Sequence, residues 1–142
     1  MTDRQLILRK LADLDRHRQE LREFEGCTIE AYEADWKVQR IVERTLQIMV
    51  EICADIANHI VAEEGLRMAQ SVADTFRSLF EGGILPAELL PKMVQMAGFR
   101  NIVVHRYDAV DAAIVIGILS GHLEDFTAFR EAVIGFLSRP AA

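Results

Sequence analysis

Along most of the chain, apolar residues recur at intervals of three, four and seven, the spacing that places side chains on one face of an α-helix. From Thr2 or Asp3 to about Phe24 the stripe is Leu6, Ile7, Leu11, Leu14 and Leu21, and Gly26 stops it. A much longer helix is predicted from near Thr28 to about Glu63. Val38, Ile41, Val42, Thr45, Ile48, Met49, Ile52, Ile56 and Ile60 draw its inner face, and Gly65 is its stop signal. Ser71 opens a short third helix with Asp74 at the capping-box distance; Val72, Phe76, Leu79 and Phe80 form its apolar face, and Gly82-Gly83 ends it. Pro86 sits where a first-turn proline is tolerated. A fourth stretch through Leu89, Leu90, Met93, Val94 and Met96 then passes Gly98 into the segment Arg100 to Tyr107. A last helix, from about Val110 to Leu137, carries Ile114, Ile118, Leu119, Leu123, Phe126, Val133 and Phe136. With no alternating strand pattern, the expected fold is all-α: an antiparallel bundle of four main helices and one short one. No repeat, low-complexity tract or linker interrupts it, so residues 1–142 read as a single domain with a loose tail at 139–142.

Composition refines this picture. The chain has 142 residues, 51% of them hydrophobic, and only 8 Gly and 3 Pro. A chain of this size buries roughly 70% of its unfolded surface unaided. The apolar surplus fits either a well-filled monomer core or an oligomer contact. Cys27 and Cys53 lack metal-ligand spacing and read as reduced thiols of a cytoplasmic protein. No unbroken apolar run reaches the roughly 18 residues that span a membrane, so no membrane association is expected. The net charge of −6 excludes a protein that coats nucleic acid broadly. RNA could be engaged only at a confined basic site, for which Lys92, Arg100, His105 and Arg106 are the late cluster, while the acidic remainder suits a basic protein partner.

Arg100 and His105 frame the apolar run Ile102-Val103-Val104. On an ideal helix Asn101 and His105 share a face, as do Arg100 and Tyr107, whereas Arg100 and His105 lie about 140° apart. The set suits phosphodiester cleavage: a histidine moves protons near neutrality, a guanidinium holds the added charge of a pentacoordinate phosphate, and RNA supplies its own 2′-hydroxyl nucleophile. By residue chemistry alone, a surface pair or a satisfied core polar group fits as well, and Tyr107 reads as a ring closing the helix end with its hydroxyl in water. Glu51, Asp55, His59 and Glu63 repeat every four residues. A bundle metal site would draw Glu-x-x-His pairs from more than one helix, and none is present. This stripe reads as solvated or cleft-lining, with Asp55 expected to orient the catalytic groups. Tyr32 and Trp36 are expected to pack against the first helix rather than stack on RNA bases. Arg16, His17 and Arg18 read as a solvated face, and His17, His59 and His122 receive no role.

The string Arg100-x4-His105-x-Tyr107, preceded by Met96-Ala97-Gly98-Phe99 and followed by Asp108-Ala109-Val110-Asp111, resembles the signature of HepT proteins within the HEPN superfamily. Asn101 matches the polar residue common after that arginine, and the helix order extends the resemblance over most of the chain. It implies the toxin of a toxin–antitoxin pair: a homodimeric endoribonuclease, independent of metal and cofactor, whose two motifs face each other in one cleft. Arg100 and His105 would be catalytic and Asn101 supporting. Tyr107 would be adenylylated by a nucleotidyltransferase antitoxin of the MntA kind, adding bulk and negative charge where RNA binds. The alternative is a non-catalytic HEPN-like module that binds a nucleotide or a partner; a generic helical adaptor would be indifferent to loss of His105.

Overall fold

The computed structural model describes residues 3–140, so the starting position Thr2 and the tail residues Ala141 and Ala142 lie outside the described residues. Among the described residues there are helices and no strands. Helix α1 spans Arg4–Leu21, capped by Asp3, whose side chain accepts from the Leu6 backbone N–H at 3.1 Å. It buries Ile7, Leu11, Leu14 and Leu21, four of the five residues of the stripe read from the sequence, and leaves Leu6 half-buried. A single 3-10 turn, Arg22–Phe24, follows.

The long helix expected from Thr28 is two helices, α2 (Ile29–Ala34) and α3 (Trp36–Glu63). The break is Asp35, whose backbone is extended (φ −130°, ψ 101°) and whose carboxylate accepts from the N–H groups of Lys37 and Val38. An aspartate in this role satisfies the orphan donors of a new helix start and so competes with continuing the old one. Helix α3 is the centre of the bundle. It is long and apolar enough to cross a membrane; here α1, α4 and α5 pack on it and enclose Val42, Leu46, Met49, Val50, Cys53, Ile56 and Ile60 completely.

Helix α4 (Val72–Glu81) starts at Ser71, which accepts from the Asp74 N–H at 3.0 Å, and buries Phe76 and Leu79, while Phe80, expected inside, is exposed. The loop before it is fastened by Arg67, which donates to both oxygens of Asp74 (2.8 and 3.0 Å) and to Glu81 (2.7 and 3.1 Å). Gly83 takes φ +77°, a conformation that disfavours side chains, and turns the chain toward α5 (Leu90–His105). The first-turn proline of α5 is Pro91; Pro86 instead sits in the preceding turn, its carbonyl accepting from Leu89 and Leu90.

The predicted last helix is also two: α6 (Ala112–Gly121) and α7 (Leu123–Leu137), bent by 54° at His122. His122 leaves helical geometry (φ −125°, ψ 2°), and its ring nitrogen meets Asp125 in the first turn of α7 at 3.0 Å. Phe129 of α7 meets Phe76 of α4 edge-on, centroids 5.9 Å apart. The tail begins less loosely than expected, because Arg139 donates to the Gly83 carbonyl at 2.8 Å.

Candidate active site

Helix α5 presents Arg100 toward α3 because the same face carries the buried Met93, Met96 and Phe99. Glu51 of α3 receives it: Nε and Nη2 of Arg100 both donate to Glu51 Oε2, at 3.0 and 2.9 Å. Gln47, one turn earlier on α3, donates to the same oxygen at 3.3 Å. On the far side of the guanidinium, Nη1 donates to Asn101 Oδ1 at 3.1 Å. The Arg100 side chain is 22% exposed, so the fork is held on two sides and still reaches solvent.

His105 is the last residue of α5 and is exposed. Arg106 ends the helix (φ −145°, ψ 52°), so Tyr107 leaves the face it would share with Arg100 on an ideal helix and stands on a short 3-10 turn, 77% exposed. Within one chain Arg100 and His105 therefore make no hydrogen bond with each other: one lies against α3, the other is exposed at the helix end. Asn101 does lie against Arg100, accepting from its Nη1.

Asp55 does not join the site. Its carboxylate lies 3.7 Å from Lys10 of α1 and is 61% exposed. A step of four residues rotates a helix position by about 40°, so the stripe that faces α5 at Glu51 has swung toward α1 by Asp55. Glu51, Asp55, His59 and Glu63 thus fail to converge, and among the described residues no three His, Cys, Asp or Glu side chains group as a metal cage. Lys92 also leaves the expected basic cluster, lying 3.9 Å from the buried Asp125 near the start of α5.

The positive charge beside the motif comes from α3. A groove of about 570 Å³ runs between the start of α3 and the end of α5, lined by Trp36, Arg40, Arg44, Gln47, Val103 and Tyr107 among others. Trp36 does not pack against α1 as expected; it is 59% exposed, with the Arg40 guanidinium 4.8 Å from its ring centre. Tyr32 is buried, but at the α2–α3 junction, its hydroxyl donating to Glu43; burial and that carboxylate push its pKa upward. Arg18 departs from the solvated reading too: its side chain is only 13% exposed and reaches Glu124 of α7. Sequence reasoning passed over Glu51 in favour of Asp55 and missed Arg40 and Arg44. The spacing Trp36-Arg40-Arg44, four and four, was the available signal, since it puts all three on neighbouring positions of one helix face.

The family model described as Ribonuclease HepT-like matches residues 14–133, and the chain belongs to that family. It is 32% identical over 128 residues to the mRNA nuclease HepT of Shewanella oneidensis, covering 90% of this chain and 96% of that one. It is 26% identical over 132 residues to the tRNA nuclease HepT of Aphanizomenon flos-aquae, covering 93% and 90%. Among solved structures it resembles the tri-AMPylated Shewanella oneidensis HEPN toxin in complex with MNT antitoxin, with a TM-score of 0.84 and 31% identity over 95% of this chain and 99% of that one.

Proposed function

We propose that this protein is the ribonuclease toxin of a toxin–antitoxin pair, cleaving RNA in the cytoplasm without a metal ion and working as a homodimer. The observation that carries the reading is the Arg100 guanidinium, held between Glu51 and Asn101 with part of its edge open, on the helix that ends in an exposed His105. A cation fixed before substrate arrives stabilises developing phosphorane charge without reorganising. The separation of Arg100 and His105 within one chain supports the homodimer reading, since a second copy would close the two motifs into one cleft.

In this mechanism one His105 accepts the proton of the 2′-hydroxyl as its oxygen attacks phosphorus. Arg100 balances the extra charge on the phosphorane, and the P–O5′ bond breaks as an acid, His105 of the second copy, protonates the departing oxygen. The products are a 2′,3′-cyclic phosphate and a 5′-hydroxyl. A toxin needs restraint, and Tyr107 supplies the place for it. Its ring stands beside the groove, where AMP transferred by a nucleotidyltransferase antitoxin of the MNT kind would add bulk and negative charge. Relatives bearing the names mRNA nuclease and tRNA nuclease bracket the RNA classes to assay.

The test is induced expression of wild type, His105→Ala and Arg100→Ala, following growth and RNA integrity with and without the antitoxin. Wild type alone is expected to degrade RNA and halt growth, with both folded variants harmless. Equal behaviour of all three would leave a non-catalytic binding module. Cleaved ends carrying a 3′-hydroxyl, or dependence on Mg²⁺, would refute the mechanism. AMP transfer to Tyr107→Phe at the wild-type level would move the modified site elsewhere.

A further inference from the structure

We propose that the groove between α3 and Tyr107 is a subsite for one unpaired nucleotide of the RNA strand, its base stacking against Trp36 and its phosphate held by Arg40 and Arg44. The proposal rests on RNA being the substrate, and adds a contact that the Arg-x4-His motif does not contain. Two exposed aromatic side chains, Trp36 at 59% and Tyr107 at 77%, border this one groove. A large indole left in water on a well-packed bundle has apolar surface to cover, and a nucleobase fits its flat face.

Charge points the same way. Arg16, Arg18, Arg67, Arg100 and Arg130 are each matched with a carboxylate. Among the described residues, Lys37, Arg40 and Arg44 make no ion pair, as Arg9, Arg22, Arg77 and Arg106 make none; the first three differ in lying together at the start of α3, where Arg40 and Arg44 line the groove. The Arg40 guanidinium already lies 4.8 Å from the Trp36 ring centre, so cation and stacking surface are set side by side. From Trp36 the track passes Arg40, Arg44 and Gln47 to Glu51, about 22 Å along the helix, and Glu51 holds Arg100. The groove reaches Gln47, which shares the Glu51 oxygen that holds Arg100, so the stacking platform lies along the same helix face as the cation proposed to act on the scissile phosphate. Glu33, Glu43 and Asp108 also border it, Glu43 already accepting from Tyr32, and these carboxylates disfavour a densely charged duplex while leaving room for one or two phosphates of a single strand.

Trp36 is the single tryptophan of the chain, so its fluorescence reports on the groove alone. His105→Ala protein, chosen to keep the strand intact, is titrated with a mixed-sequence single-stranded RNA oligonucleotide. Quenching of Trp36 is expected. Binding of the fluorescein-labelled oligonucleotide, read by anisotropy, should weaken about tenfold or more in Trp36→Ala. It should weaken in Arg44→Gln with a salt slope smaller by about 1. Circular dichroism checks that both variants fold. Absence of quenching with RNA bound overturns the subsite and leaves the ribonuclease reading intact. Quenching by a wild type that cleaves no RNA would overturn the ribonuclease reading and keep the subsite. Trp36 emission that changes with protein concentration and not with RNA assigns the groove to a second copy, and AMP binding as tightly as the oligonucleotide makes it a mononucleotide pocket; either result overturns the strand proposal.

Discussion

Replacing Glu51 separates holding the bundle together from holding the arginine in place. Its Oε2 accepts two N–H groups of Arg100, at 3.0 and 2.9 Å, with the side chains 34% and 22% exposed respectively. A hydrogen bond to a charged group contributes about 1.5–3 kcal/mol when well buried, and partial solvent access brings the pair to about 1–2 kcal/mol. Glu51→Ala should therefore lower Tm by roughly 3–7 °C. Glu51→Gln keeps one oxygen that can accept both N–H groups but loses the negative charge, and should cost about half as much. Catalysis should respond differently. Glutamine loosens the guanidinium and also removes the charge that neutralises it, so kcat should fall about 10- to 100-fold through lost orientation, while KM stays level or drops because the freed cation attracts the RNA phosphate. Steady-state cleavage of a labelled RNA oligonucleotide, alongside urea melts, reads both effects. In the Arg100→Ala background, Glu51→Gln should change the rate no further. If Glu51→Gln leaves kcat unchanged, or raises KM with kcat intact, Glu51 is a bundle contact and does not position Arg100.

Three other outcomes follow from the fold. Phe129→Ala removes a fully enclosed ring packed edge-on against Phe76 and should cost about 3–5 kcal/mol in urea unfolding; a loss under about 1 kcal/mol would mean that the α4–α7 contact collapses around the gap. Cys53 is completely enclosed, and burial pushes its thiol pKa upward, so a thiol reagent should label Cys27 in the native protein and reach Cys53 only on unfolding. The Arg67 hydrogen bonds pull the Asp74 pKa down to about 2 and lower that of Glu81. Because these folded pKa values are depressed, the stabilisation is fully present above the ordinary carboxylate range of about 4 and is lost as pH falls toward 2. The stability difference between wild type and Arg67→Ala should accordingly shrink across that window; a difference that is the same at pH 6 and near pH 2 would remove the staple from the account.

Much of this protein is written locally. The apolar stripe of α1, the Ser71 start of α4 and the glycine stops needed only residue spacing, because helix faces and caps are decided within a few positions of the chain. The Arg-x4-His-x-Tyr segment was legible for the same reason, its members being close in sequence. Tertiary packing decided the rest. Asp35 and His122 break helices whose apolar periodicity runs straight through them, since periodicity records which face is buried and not where the axis must turn to bury it. Choosing Glu51 over Asp55 as the residue that holds Arg100 required knowing which neighbour lies against each step of α3: α5 at Glu51, α1 one turn later. Lys92 and Trp36 were misplaced in the same way. A stripe on one helix specifies polarity around that helix alone, and only the packed bundle determines whether its polar edge meets a carboxylate, another helix or open water.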